Sequence, residues 1–250
     1  MRIRGADKLG SVPQTTSRKL TSRLVRAILK GEYKAGQKLP TERELSESLG
    51  VSRHTLREAL KRVEAMGLLR IKQGSGVFVN DVALSGGMEL LEYMLVDDNG
   101  IMDIEVLRDF FLFWFNFMGE LVSLSTSRRT EEELEAMETL IRERGEAIVA
   151  GESTQLLWKR DEAFLHALAQ SSHSQMYRLA FNTLFRSVLR LLEQEPFNAL
   201  ELHIPQDYFE ELLTTLRTND PQAAAETVRK QVQQAGSIFL ELFEPLASST

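Results

Sequence analysis

TERELSESLGVSRHTLREAL, residues 41–60, is the stretch on which the fold turns. Thr41 and Glu44 stand three apart, the spacing at which a threonine hydroxyl and a glutamate carboxylate cap a helix reciprocally. Gly50 supplies a stop, because only glycine enters the left-handed conformation of a helix end without strain. Ser52 then caps a second helix, which the apolar spacing predicts to run to about Met66. About three residues separate the two, the compact geometry of a helix-turn-helix. Leu45, Leu49, Val51, Leu56, Leu60 and Val63 form a small shared core. Arg53, His54 and Arg57 occupy the first turns of the second helix, in a chain whose net charge is −6.

On the N-terminal side, Leu20, Leu24, Val25, Ile28 and Leu29 recur at helical spacing from Thr16 and stop before Gly31, followed by the turn-rich GEYKAGQKLP. After Gly67 the period shortens: LLRIK and VFVN flank QGSG, two strands around a glycine-rich tip. Three helices followed by a hairpin is a winged helix-turn-helix. Its third helix would enter the DNA major groove, where Arg53 and Arg57 reach guanine O6/N7 or phosphate. Ser52 and Thr55 offer hydroxyls, and the free N–H groups of that helix end favour a phosphate.

Charge is divided accordingly. Residues 1–80 hold 17 Lys+Arg against 7 Asp+Glu, whereas 81–250 hold 13 against 29. A basic head on an acidic body fits a polyanion-binding domain joined to one with another task. The 250 residues suffice for two modest domains, and no cysteine is present, which excludes disulfides and thiolate metal sites. Arg2, Arg4 and Lys8 precede no apolar run, and the concentration around 110–118 is too short to span a bilayer. A cytoplasmic protein with no membrane partner is expected.

NDVALSGG, residues 80–87, has the small and polar character of a linker. Beyond it helices are predicted over 88–96, 103–124, 130–150, 154–171, 174–194, 205–218 and 221–245. Asp103, Thr130 and Asp220 serve as caps; Gly151, Pro196, Pro205 and Pro221 mark ends and starts. Arg128 and Arg129 read as solvated charge. DFFLFWFNFMGEL (109–121) surrounds its helix with Phe110, Phe111, Phe113, Phe115 and Phe117, and an all-round apolar helix is expected to be buried. It would form plain core, a dimer interface or the wall of an apolar ligand cavity.

Residues 39–79, LPTERELSESLGVSRHTLREALKRVEAMGLLRIKQGSGVFV, closely resemble the DNA-binding domain of the GntR family of bacterial regulators. The resemblance implies DNA contacts from Arg43, from Ser52, Arg53, Thr55 and Arg57, and from Gln73, Gly74 and Ser75 at the wing tip. His54 occupies a position that varies in the family, so it either tunes sequence choice or faces a phosphate. Arg43, flanked by Glu42, Glu44 and Glu47, has a salt-bridged surface as its alternative.

DEAFLHALAQSSHSQMYRLAFNTLF (161–185) and TNDPQAAAETVRKQV (218–232) resemble the FadR-type C-terminal domain, which in this subfamily binds a small effector and alters DNA affinity. Many members hold a metal there with one Asp and three His. Asp161 keeps the first position, but the histidine positions carry Leu165, Phe209 and Gln231, and His166 lies about 100° round the helix from the required register. An Asp and a Gln cannot supply the ligands a zinc-like site needs, so no metal or other cofactor is expected, and His166, His173 and His203 stand out of register with Asp161. Asp161 becomes a hydrogen-bonded relic or a polar effector contact. Trp114 falls where metal-binding members often place a carboxylate-holding arginine. Gln231, Ala235 and Phe239 share the face of the last helix that lines the cavity in the metal-free FadR branch.

The expected architecture is mainly α: a winged helix-turn-helix at 10–80, a linker at 81–87, and an antiparallel bundle of about seven helices at 88–245 that binds effector and dimerises. The expected function is a homodimeric transcription regulator on a palindromic double-stranded DNA operator, responsive to a fatty acyl-CoA or a similarly apolar ligand. Its alternative effector is a small organic acid bound without metal. Trp114, Asp161, Leu165, Phe209, Gln231, Ala235 and Phe239 are the candidate effector-cavity residues. An enzyme is the rival from another class, but no nucleophile–base pair or paired-carboxylate motif stands out, so no catalytic residue is assigned. A nucleoid-binding protein would not need the acidic helical body.

Overall fold

The computed structural model of the chain describes residues 16–96, 102–192 and 204–247, with the side chains of 190–192, 239 and 242–247 outside that description. Two compact units meet at the Met94–Leu95 bond.

The first unit begins with α1 (Thr16–Leu29), α2 (Glu42–Leu49) and α3 (Arg53–Ala65). Thr41 and Glu44 make the capping box, with the Glu44 backbone N–H donating to Thr41 Oγ1 and the Thr41 N–H to the Glu44 carboxylate. Those bonds from Thr41 hold the Glu44 carboxyl below the ordinary glutamate range. Gly50 ends α2 at φ +64°, and Ser52 caps α3 by accepting the Thr55 N–H at 3.1 Å. Leu20, Leu24, Val25, Ile28, Leu45, Leu56, Leu60 and Val63 are buried together, each worth roughly 1.5–3 kcal/mol relative to exposure.

The wing is the antiparallel pair β1 (Leu69–Lys72) and β2 (Gly76–Val79), in register Leu69↔Val79 through Lys72↔Gly76. Residues 36–39 flank β2, Leu39 N–H donating to Val77 O at 2.9 Å and Val79 N–H to Gln37 O at 2.9 Å. Between the strands, Ser75 N–H closes the tip on Lys72 O at 2.9 Å, with Gly74 at φ +76°.

The linker at 81–87 and a body starting at 88 need correction. Residues 82–85 form the short helix α4, and a 3-10 turn at Met88–Leu90 leads into α5 (Leu91–Leu95). Leu90 is buried in the first unit's core, with Val82 and Tyr93 packed against it. Gly67 shows why the segment stays close: at φ +76°, an added Cβ would lie 2.1 Å from the Ser85 carbonyl oxygen. The predicted helix at 88–96 therefore straddles the end of the first unit and does not open the bundle.

The second unit comprises α6 (Ile104–Arg128), α7 (Glu131–Val149), α8 (Thr154–Ser171), α9 (Gln175–Leu192), α10 (Gln206–Arg217) and α11 (Pro221–Ala247), six helices among the described residues. Asp103 caps α6, Thr130 and Glu133 box the start of α7, and Asp220 accepts the N–H groups of Gln222 and Ala223 ahead of α11. Pro196 lies outside the described residues. The core joins Leu121 and Val122 of α6, Met137 and Ile141 of α7, Phe164 and Leu168 of α8, Phe181 of α9, Phe209 and Leu212 of α10, and Val228 of α11.

Two expectations fail here. Residues 110–117 are not buried all round: Leu112 is 62% and Phe113 42% exposed, and none of 110–117 is fully buried, the next buried residue being Met118. Apolar character on every side of a helix does not specify what covers each side. Arg129 is not solvated charge either, because its guanidinium donates twice to Leu216 O (2.8 and 3.1 Å) and ties the end of α6 to the end of α10. Arg128 likewise donates to Ser172 O at 3.3 Å.

Candidate functional site

Arg43, Arg53, His54 and Arg57 are all exposed, and among the described residues Arg43 and Arg53 make no ion pair. The salt-bridged alternative for Arg43 thus finds no partner: Glu44 is committed to the capping box, and Glu42 instead takes Arg57, Nε donating to Oε2 at 2.6 Å. Ser52 and Thr55 are less available than their hydroxyls suggested. The two Oγ atoms lie 2.8 Å apart in a mutual hydrogen bond, and Ser52 also accepts the Thr55 N–H. Gln73, Gly74 and Ser75 are exposed at the wing tip. Wing and α3 are joined by Glu64, whose carboxylate accepts the Ile71 N–H at 2.7 Å. Lys72 lies over the Phe78 ring at 5.6 Å. Arg43, Arg53, His54 and Arg57 and the wing-tip residues Gln73, Gly74 and Ser75 are thus exposed groups of one three-helix unit.

In the second unit, Asp161 is 1% exposed and paired to a fully buried Arg144 of α7. The same guanidinium donates to Gln206 Oε1 at 2.8 Å and to Ile204 O, and lies 4.4 Å over the Phe209 ring. One cation therefore joins α7, α8 and the start of α10, with its charge matched by Asp161 and its flat face on an aromatic ring. Leu165 and Phe209 sit in the apolar core, Phe209 edge-on to Phe164 at 5.3 Å. Gln231 is 7% exposed; its amide nitrogen donates to Glu211 at 2.6 Å and to Tyr208 O at 3.3 Å. Burial pushes the Tyr208 phenol up to about 12. Trp114 stacks on Phe110 (5.9 Å) and Phe117 (5.8 Å) and tilts against Phe181 (6.3 Å). Ala235 is half-buried on α11, and the Phe239 side chain lies outside the described residues. His166 meets Phe181 and Phe185 edge-on, and His173 pairs with Glu133 at 3.0 Å; His203 lies outside the described residues. The structure thus joins Asp161 to Phe209 through Arg144, and places Trp114 in an aromatic stack packed against the same core through Phe181.

Comparison with known proteins gives the family of each unit. The family model for bacterial regulatory proteins of the gntR family matches residues 16–79, and the FCD domain model matches residues 119–234. The HTH-type transcriptional regulator LutR of Bacillus subtilis is 30% identical over 67% of this chain and 73% of its own length. The chain belongs to the GntR family. Other relatives of this GntR regulator are the HTH-type transcriptional regulator Mce2R of Mycobacterium tuberculosis, 29% identical over 88% of this chain and 90% of the relative. The fatty acid metabolism regulator protein of Erwinia tasmaniensis is 25% identical over 86% and 87%. A solved structure described as Lar, which controls expression of the Listeria monocytogenes agr system, shares the fold with a TM-score of 0.53 at 15% identity, covering 92% of this chain and 97% of that one. The basic face with its recognition helix and wing is the DNA-binding part of a transcription regulator, and the helical unit is its FCD domain.

A metal does not fit this FCD domain at the family's positions. Leu165 and Phe209 offer no donor atom, and Asp161 is bonded to a guanidinium. No group of three or more His, Cys, Asp or Glu residues is placed to hold an ion among the described residues, and no described helix is long and apolar enough to cross a membrane. Arg144, the residue that defines the Asp161 environment, was not legible beforehand. It lies in IRERGEAI, where alternating charges read as a solvated face, and only the glycine beside it hints at close approach: an added Cβ on Gly145 would lie 3.3 Å from Gln206.

Proposed function

We propose that this GntR regulator is a homodimeric, one-component cytoplasmic switch on a palindromic operator, whose FCD domain responds to a fatty acyl-CoA or a similarly apolar ligand. The observation that carries the effector reading is the stack Phe110–Trp114–Phe117, extended by Tyr177 at 5.6 Å from Phe117, at the position where metal-binding members of the family often place a carboxylate-holding arginine. Leu165 and Phe209 add apolar surface where polar ligands would stand. Each CH₂ buried against such a wall contributes about 0.8 kcal/mol, so a long chain needs few polar contacts. The name of the Erwinia relative points the same way. The headgroup phosphates would fall to exposed cations such as Arg178, Arg186 and Lys230; Arg229 is already held by Glu120 at 2.7 Å, and the Arg190 side chain lies outside the described residues. A second copy of the chain, needed for a two-fold operator, would cover Leu112, Phe113, Met176 and Leu179, which are exposed beside the same aromatic stack.

The second reading, a small organic acid as effector, draws on Arg144: an effector carboxylate would have to take the place of Asp161 on that buried guanidinium. One titration separates them. Acyl-CoAs of increasing chain length added to a protein–operator complex should release DNA with rising potency. If no chain length acts while a small carboxylate does, the organic-acid reading replaces the apolar one.

A further inference from the structure

The Glu42–Arg57 pair is out of place on a surface built to bind a polyanion. A carboxylate there repels DNA, and an exposed ion pair returns little stability, since Arg57 is 66% and Glu42 34% exposed. Neighbouring Arg43 and Arg53 stand without an ion pair among the described residues, so neutralising basic charge is not a general feature of this face. What the contact does provide is orientation. Arg57 donates through Nε, the inner edge of its planar guanidinium, at 2.6 Å. The two terminal nitrogens, Nη1 and Nη2, remain as a fork, and a fork held in one plane is what bidentate recognition of guanine O6 and N7 requires. A phosphate contact has no such need, because phosphates position a protein without reading sequence. The backbone that carries the carboxylate is fixed by the Thr41 cap. Glu42 is the first residue of α2, directly after the Thr41 capping box, at the positive end of the helix and one tight turn from α3.

We propose that Glu42 is a positioning residue that holds Arg57 as a base-reading fork, and so sets operator specificity without touching DNA. The inference rests on the DNA-binding reading of the first unit. Its test compares wild-type protein with Glu42→Gln and Glu42→Ala on two duplexes of equal length: one selected by the wild-type protein from a random library, and a scramble of it. Glu42→Gln removes the charge with almost no change of shape, so it guards against a folding defect in the alanine variant. In Glu42→Ala, scrambled DNA should bind several-fold tighter as a negative charge leaves the face. Discrimination between the duplexes should fall about tenfold, within the range that one bidentate pair supplies. The slope of log affinity against log salt should steepen by about 0.9 as Arg57 drops onto a phosphate. Glu42→Gln, whose amide oxygen still accepts from Nε, should lie between. Arg57→Lys, which keeps charge but loses the fork, should relax preference at the same base pair as Glu42→Ala. Equal tightening on both duplexes, with discrimination unchanged, would show Glu42 to be surface charge only and overturn the inference. If the wild-type protein itself discriminates between no duplexes, the DNA-binding reading fails, and that outcome is distinct from a variant that discriminates as the wild type does.

Discussion

At the scale of single residues, two kinds of charge behave differently. Arg53 is exposed and without an ion pair among the described residues, so Arg53→Ala should leave folding intact and cost roughly 1–3 kcal/mol of discrimination for the operator, read as a specific-to-scrambled binding ratio. An equal loss on both duplexes would reassign it to phosphate. Arg144 is the opposite case. Its removal strands the Asp161 carboxylate in the core, so Arg144→Met should destabilise the FCD domain by about 3–5 kcal/mol in denaturant titration, and much of that loss should return in Arg144→Met with Asp161→Leu. Tyr208 gives a pH signature. Its folded-state pKa of about 12 lies above the value for an exposed phenol, so the favourable contribution is complete below pH ~10 and is lost as pH rises toward 12. Of the four tyrosines, one should therefore titrate late by phenolate absorbance, and Tyr208→Phe should remove that step. The arginines of the recognition helix were legible in the sequence because a cap, a helical period and a charge imbalance all marked them. Arg144 was not, nor was the Glu42–Arg57 pair, since partners 17 and 15 residues apart in separate helices leave no local pattern.

Among the elements, caps and turns carried most of the information. Thr41→Ala removes one half of a reciprocal box and should cost the head about 1 kcal/mol by thermal unfolding. The predicted bounds of the first three helices and the wing lie within a residue or so of the observed ones, because every boundary has a chemical marker. Residues 81–94 had only Asp81, which caps a helix of four residues. Their small and polar opening resembled a linker, and only the burial of Leu90 and the approach of Ser85 to Gly67 assign them to the head. Leu90→Ala should consequently destabilise the DNA-binding unit by about 2–5 kcal/mol and weaken operator binding, an effect that a linker residue would not show. Residues 110–117 depart from the sequence expectation for the reverse reason. Their composition is apolar all round, yet Leu112 is exposed and Phe113 stays 42% exposed even though it stacks on Phe117.

On the scale of the molecule, a basic head and an acidic helical domain follow from the division of charge in the sequence, and family membership joins them as a regulator. The effector remained open because the altered positions Leu165, Phe209 and Gln231 define what has been lost and not what is bound. If a second copy covers the exposed apolar face, Leu179→Glu should shift the protein toward monomer in sedimentation and weaken binding to a two-half-site duplex more than to a single half-site. The most direct test of the central claim is equilibrium binding of the wild-type protein, at one fixed salt concentration, to a duplex it has selected from a random library and to its scramble. The account predicts that the selected sequence is an inverted repeat preferred by about 10³-fold or more, and that Arg53→Ala lowers that preference by roughly 1–3 kcal/mol. A preference near one, with all affinity lost as salt rises, would contradict it.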